Sequence, residues 1–252
     1  MIKTVNIGNL KIANSTYGAY IDYFDKIIEK KNPENIISYV NTYVFLKYLK
    51  DKSIQNCLDS FLLIPDGIGM HLALKYFFGP LISTEKIVST DLWDILLLYL
   101  SKNKRRVFFY GGWEISYDNL KEKILGSYPG LSIAGFFDGA NKLKENDLKQ
   151  IYESKADVLF VGLGTPLQEK WILENKNNLN IPLIIACGSA IDFFSGYTKR
   201  APMYLRKMHL EWLHRLLLNP GRLWKRYIIG IPVFVFKVII IKIKFEGKSK
   251  QR

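Results

Sequence analysis

The 252-residue sequence has little cysteine and little histidine. Cys57 and Cys187, its two cysteines, both sit in apolar surroundings. They make neither a disulfide framework nor a paired-cysteine metal motif, which suits a reducing compartment. His71, His209 and His214 fall in helical patterns without metal-ligand spacing. No D-x-D pair occurs, and Asp91 and Asp94 do not form one. The G-x-G-x-x-G dinucleotide fingerprint is missing too: after Gly162 and Gly164 its third glycine position holds Leu167. These absences lead us to expect no metal and no cofactor. The apolar run 228–241 is interrupted by Pro232 and Lys237. As a helix of about 14 residues it would reach about 21 Å, against roughly 30 Å of hydrocarbon, so it reads as interfacial rather than spanning. Packing in the core, or an edge strand over the alternating residues 241–245, are the alternatives. Residues 1–10 lack the charged and apolar segments of a signal peptide.

Acidic residues are scarce in one place only. Residues 199–252 hold fourteen Lys and Arg against Glu211 and Glu246, a net charge of +12. The preceding 198 residues hold 22 basic and 21 acidic groups, a net charge of +1. A near-neutral body with a cationic tail points to an anionic partner: a membrane surface, a nucleic acid or a phosphorylated substrate.

The body is patterned as alternating strands and helices. Residues 3–13 read as a hairpin around Gly8 and Asn9, and Ser15 or Thr16 caps a helix to about Lys30. Further strands are expected at 35–41, 61–64, 107–112, 131–135, 157–162 and 181–186, most of them leading into a helix. This alternation implies a mainly parallel, Rossmann-like α/β sheet with helices on both faces. Past Gly196 the character changes. One helix is expected over 202–218, broken by Pro220-Gly221, followed by the basic cluster 222–226. The expected division is an α/β catalytic unit at 1–196 and a basic, helical, amphipathic appendage at 197–252.

In open α/β sheets ligands bind outside the carboxyl ends of the strands, and helix N-termini there can hold a pyrophosphate. Two strand-to-helix turns stand out. In residues 157–172, D-V-L-F-V-G-L-G-T-P-L-Q-E-K-W-I, Thr165 stands where a helix N-cap belongs, Pro166 at the first helical position, and Gln168 completes a capping-box pattern, with Glu169 beside it. In P-D-G-I-G, residues 65–69, Asp66 follows a strand at a glycine turn. Asp66 reads either as a turn-former or cap, or as a carboxylate held at the sheet edge to act as a general base. Asp192, between Gly188 and Gly196, has the same two readings, and Gly112 ends another strand.

These segments carry a resemblance. P-D-G-I-G (65–69), Y-P-G-L (128–131), G-T-P-L-Q-E-K-W (164–171), D-F-F-S-G (192–196), K-R-A-P (199–202), L-E-W-L-H-R-L (210–216) and N-P-G-R-L-W-K-R-Y (219–227) together resemble the WecG/TagA/CpsF glycosyltransferases, almost end to end. The resemblance implies a GT-E-like α/β fold. It implies transfer of an N-acetylhexosamine-type sugar, such as N-acetylmannosamine or its uronic acid, from a UDP-sugar to a polyprenyl-diphosphate-linked sugar. It also implies peripheral docking on an anionic membrane surface through an appendage that completes the site. Asp66 is then the candidate base and Gln168 lies in the catalytic site. Asn41, Lys86, Gly112, Glu169, Asp192, Arg200, Arg215 and Arg222 become candidate substrate-binding residues, with Arg215 and Arg222 expected to turn inward to the diphosphate. Tyr39 stands where the family usually has Thr, and Glu85-Lys86 where it commonly has Glu-Arg; lysine cannot give bidentate guanidinium contacts. A nucleic-acid-binding or nucleotide-binding α/β protein with a basic tail is the alternative, but the aliphatic and aromatic content of the tail favours lipid over nucleic acid. Homo-oligomer formation stays open.

Overall fold

The computed structural model describes residues 2–31, 35–112, 115–140 and 142–249, the last five of these by backbone only. Lys250 and Arg252 of the basic tail lie outside the described residues, as does the side chain of Lys248.

The hairpin is present. β1 (Lys3–Ile7) and β2 (Leu10–Asn14) pair antiparallel, with Ile7 opposite Leu10 and the turn at Gly8, whose φ is +62°. Helix α1 (Tyr17–Lys30) starts from Thr16, whose hydroxyl accepts from the Ala19 N–H. Then come β3 (Asn35–Val40), α2 (Thr42–Lys50), α3 (Lys52–Leu58), β4 (Leu62–Pro65), α4 (Gly67–Phe78), α5 (Ser89–Lys102), β5 (Arg106–Gly111), α6 (Tyr117–Ser127), β6 (Ser132–Phe137), α7 (Glu145–Glu153), β7 (Val158–Gly162), α8 (Leu167–Leu179), β8 (Leu183–Ala186) and α9 (Ala190–Phe194). The strands form one eight-stranded sheet in the order β1-β2-β4-β3-β8-β7-β5-β6, and every pairing after the hairpin is parallel. The sheet is therefore the mainly parallel, Rossmann-like one expected.

Alternation along the central strands divides the core into two layers. Ile36, Leu159, Val161 and Ile184 face one side, under α2, α3, α4, α7 and α8. Ile37, Val158, Phe160 and Ile185 face the other, under α1, α5, α6 and α9. Both faces are covered, so the strands read as continuous apolar runs.

The tail departs from expectation at two points. The single helix anticipated over 202–218 is two: α10 (Met203–Lys207) and α11 (Glu211–Leu218), separated at His209, where φ is +63°. A left-handed residue cannot continue a right-handed helix. The break expected at Pro220-Gly221 is present, since α11 ends at Leu218 and Asn219 leaves helical geometry at φ −137° and ψ 63°; Pro220 then opens a further helix, α12 (Pro220–Trp224), where a missing N–H costs nothing. A π-turn (Lys225–Ile229) leads into α13 (Gly230–Ser249). Residues 241–245 are thus helical and not an edge strand. Phe234 and Val238 recur at helical spacing on the stripe that packs against the body, Phe234 edge-on to Phe45 of α2 at 5.4 Å. Each such side chain buried contributes about 1.5–3 kcal/mol. The opposite stripe stays exposed: Phe236 is 62 % and Ile243 63 % accessible. Core packing and an outward apolar face coexist on one helix. No helix among the described residues is long and apolar enough to cross a membrane.

Candidate active site

Three parallel strands, β4, β3 and β8, lie side by side in the sheet and end at Pro65, Val40 and Ala186. Asp66, Asn41 and Cys187 follow directly and line one cleft of about 680 Å3. The tail forms its other wall through Arg206, His209, Glu211, Arg215, Arg226 and Tyr227. The cleft continues between α4 and α13, where Leu72, Tyr76, Phe234, Val235, Val238 and Ile239 line it. Tyr76 lies ten residues beyond Asp66 along α4, about 15 Å at the rise of a helix. A polar end and an apolar limb are therefore parts of one groove.

Asp66 occupies the N-cap position of α4 but makes no capping bond. Its Oδ1 accepts from the Ser89 N–H at 2.9 Å, and its Oδ2 lies 3.5 Å from Asn41 Nδ2. The backbone fixes the turn from both sides: Asp66 N–H donates to the Val40 carbonyl and Gly67 N–H to that of Ile87, both at 2.9 Å. Asn41 caps α2, its Oδ1 accepting from the Tyr43 and Val44 N–H groups, which leaves its amide NH2 toward Asp66. The carboxylate is held in place without being spent on its own helix.

Cations surround it. Lys86 contacts His209 across the body–tail junction. Burial lowers the Lys86 pKa, and Asp91, Glu211 and Asp66 oppose the shift. Arg215 donates to Glu211 at 2.9 Å and lies over the Phe193 ring at 4.9 Å. Arg226, which the motif reading did not single out, lies over the Tyr43 ring at 4.7 Å, and its Nε is buried without a hydrogen-bond partner. Among the described residues Arg226 has no carboxylate in ion-pair range, so its charge is uncommitted inside the cleft. Arg206, also not singled out, pairs with Asp91 at 3.5 Å.

The other sequence candidates are not gathered here. Arg200 is held by Asp91 at 2.8 Å, with Glu211 at 3.6 Å, and does not line the cleft. Arg222 does not turn inward: it is exposed, in the first turn of α12, and its positive field acts on Asp192. Burial raises the Asp192 pKa and Arg222 counters it; Asp192 Oδ1 is buried without a partner, away from the cleft lining. Gly112 does not line the cleft, and its φ of +77° lies in the left-handed region that favours glycine, which gives it a backbone role.

Gln168 and Glu169 are fully buried and do not line the cleft. Helix α8 begins at Leu167, and Thr165 does not cap it. Instead Gln168 Oε1 accepts from the Gly164 N–H at 3.2 Å and the Gly188 N–H at 3.0 Å, clipping the loops after β7 and β8 together. Its NH2 donates to Glu169 Oε1 at 2.8 Å, which also accepts from Ser38 and Thr165 hydroxyls. The expected capping box is replaced by a buried network because the partner N–H of Gly188 lies 20 residues away. Among the described residues no group of three or more His, Cys, Asp or Glu side chains is placed to hold a metal ion.

The model of the glycosyl transferase WecG/TagA/CpsF family matches residues 5–248. The chain is 34 % identical, over 94 % of its length and 92 % of the relative's, to an N-acetylglucosaminyldiphosphoundecaprenol N-acetyl-beta-D-mannosaminyltransferase of Bacillus subtilis (strain 168). It is 31 % identical, over 94 % and 91 %, to the enzyme of the same name from Bacillus spizizenii. It is 29 % identical, over 85 % and 80 %, to that from Staphylococcus aureus. The chain belongs to the WecG/TagA/CpsF family of glycosyl transferases.

Proposed function

We propose that the chain transfers an N-acetylmannosamine-type sugar from a UDP-sugar to the sugar of a polyprenyl-diphosphate-linked acceptor, in the synthesis of a cell-surface polysaccharide or teichoic acid. The observation that carries this reading is the groove itself. A carboxylate, cationic side chains and an apolar limb line it together, the three kinds of group that the hydroxyl, diphosphate and isoprenyl chain of a lipid-linked sugar would meet. Asp66 takes the proton of the attacking hydroxyl. The acceptor oxygen then bonds to the anomeric carbon while the bond to UDP breaks, and UDP leaves with the electron pair. Arg226 and Arg215 face the acceptor diphosphate, where guanidinium pairs bidentately with phosphate oxygens. No D-x-D pair offers a metal clamp, and we assign the donor pyrophosphate to helix N-termini and Lys86, which lines the same cleft.

The tail meets an anionic membrane at its cytoplasmic face. Ile228, Phe236 and Ile243 are exposed beside the exposed Lys225, Lys237 and Lys244, an arrangement that inserts apolar groups among lipid headgroups while cations meet their charge. Lys242 is not part of that surface: its Nζ donates to the Phe77 carbonyl of α4 at 3.1 Å and so ties the tail to the body.

The test is a panel of UDP-sugars offered with a short-chain prenyl-diphosphate-GlcNAc acceptor, read by mass spectrometry. One N-acetylhexosamine added to the acceptor from UDP-N-acetylmannosamine is the expected result. No transfer from any UDP-sugar, at an enzyme concentration that binds the acceptor, would refute the reading.

A further inference from the structure

We propose that Tyr17, on the first turn of α1, is a positioning residue for the catalytic carboxylate, acting through the segment 85–89. The inference rests on the reading of Asp66 as the base. Segment 85–88 has no regular structure of its own and leads into α5 at Ser89, so its shape is set by what it bonds to. Two neighbours share it. The Asp66 turn takes Ile87, whose carbonyl accepts from Gly67 N–H at 2.9 Å, and Ser89, whose N–H donates to Asp66 Oδ1 at 2.9 Å. Tyr17 takes the residues between and before. Its hydroxyl accepts from Val88 N–H at 2.8 Å and donates to the Lys86 carbonyl at 3.3 Å. Its own N–H donates to Glu85 Oε2 at 2.8 Å.

One phenol oxygen thus bridges the residue that carries the Lys86 ammonium and the residue just before the N–H that holds Asp66. Tyr17 does not itself line the cleft, so it works without touching substrate. The bridge requires a neutral phenol, since only the protonated form can donate to Lys86 while accepting from Val88. Burial pushes the Tyr17 pKa up to about 12; the Val88 bond pulls against this, and Asp91, Asp66 and Glu85 add to it. The hydroxyl keeps its proton through the range in which the enzyme would work.

Removing the oxygen leaves the Val88 N–H and the Lys86 carbonyl to find water. The segment can then rotate and carry the Ser89 N–H off Asp66. Misplacing a catalytic group by about 1 Å can cost on the order of 100-fold in rate, and a partial relaxation of one tether should cost about tenfold.

The experiment is Tyr17→Phe measured in two backgrounds, wild type and Asp66→Asn, with UDP-N-acetylmannosamine and the short-chain GlcNAc-diphosphate lipid. In the wild-type background kcat should fall about tenfold with the KM for either substrate changed less than about threefold. In the Asp66→Asn background the same change should cost less than about twofold, because its effect runs through a carboxylate already removed. A merely structural role would slow both backgrounds alike. Full rate in Tyr17→Phe overturns the inference, and so does an equal loss in the two backgrounds. Wild-type rate in Asp66→Asn alone sinks the base reading and this inference with it, which separates the two failures. Should Tyr17→Phe lower Tm steeply, Glu85→Ala, which removes a different tie of the same segment, the acceptor of the Tyr17 N–H, is read by the same comparison and must show the same dependence on Asp66.

Discussion

Two turns of this chain look alike in sequence and do opposite things. At 65–69 and at 164–169 an apolar strand ends in glycine and polar residues, and a helix follows. In the first, Asp66 stands at the helix N-cap yet leaves its helix uncapped and lies on the wall of the cleft. In the second, Gln168 and Glu169 do not line the cleft and are themselves fully buried, held in a hydrogen-bond network. Neighbouring chain decides the difference. The Asp66 turn opens toward the tail, with Arg226 and Lys86 lining the same space. The 164–169 turn faces the loop after β8, whose Gly188 N–H needs an acceptor that Gln168 provides. The comparison teaches that, of two similar strand-to-helix turns at the carboxyl edge of this sheet, the one that lies on a cleft is the one over which the tail closes.

The largest expected effect concerns the first turn. Asp66→Asn keeps the side chain's shape and should lower turnover by about 10²–10⁴-fold while Tm moves little, since general-base catalysis is of that size. The cations opposite come next. Arg226→Ala removes a charge that, among the described residues, has no carboxylate partner, so it should slow transfer by roughly 30-fold or more at a cost of about 2 kcal/mol or above. Arg222→Ala, at an exposed position, should change turnover less than about twofold. Equal losses in the two arginine variants on a soluble acceptor would break the assignment of Arg226 to the diphosphate. The second turn should respond in stability. Gln168→Ala leaves the buried Gly188 N–H and the half-buried Gly164 N–H without their acceptor and takes one of three donors from Glu169 Oε1, which should cost on the order of 3 kcal/mol and lower Tm by roughly 5–12 °C. A Gln168→Ala protein with wild-type Tm and no activity would reverse the roles given to the two turns. The smallest effect on chemistry belongs to the membrane face. Changing Lys225, Lys237 and Lys244 together to Gln should weaken liposome sedimentation in a salt-dependent way, at about 1 kcal/mol per charge, and spare turnover on a short-chain acceptor. Loss of turnover on that soluble acceptor would show that these lysines reach the active site.

Much of this was legible in the sequence because it is local. The hairpin at Gly8, the Thr16 cap, the run of strands and the Asp66 turn all depend on residues within a few positions of one another. So does the cationic bias of residues 199–252. What the sequence hid is set by partners distant along the chain. Gln168 reads as a cap until Gly188 is placed beside it. Arg222 and Arg226 are equivalent in composition, and only the packing of α12 and the π-turn puts one outside and the other over Tyr43. The bend at His209 has no glycine or proline to announce it. The alternation at 241–245 suggests a strand, but the stripe of Phe234 and Val238 against Phe45 carries α13 through as a helix. Tyr17 offers no signal at all, since its partners lie 68–71 residues further on.

The claim that Asp66 takes the acceptor proton is tested most directly by a chemical-quench single turnover. Wild-type and Asp66→Asn enzyme, each in excess over a short-chain GlcNAc-diphosphate lipid and saturated with UDP-N-acetylmannosamine, are stopped at successive times and the product counted. The account predicts that the single-turnover rate falls by about 10²–10⁴-fold in Asp66→Asn while the dissociation constant of the donor stays within about threefold. A single-turnover rate equal to wild type, or a loss that disappears once donor and acceptor are saturating, would contradict it.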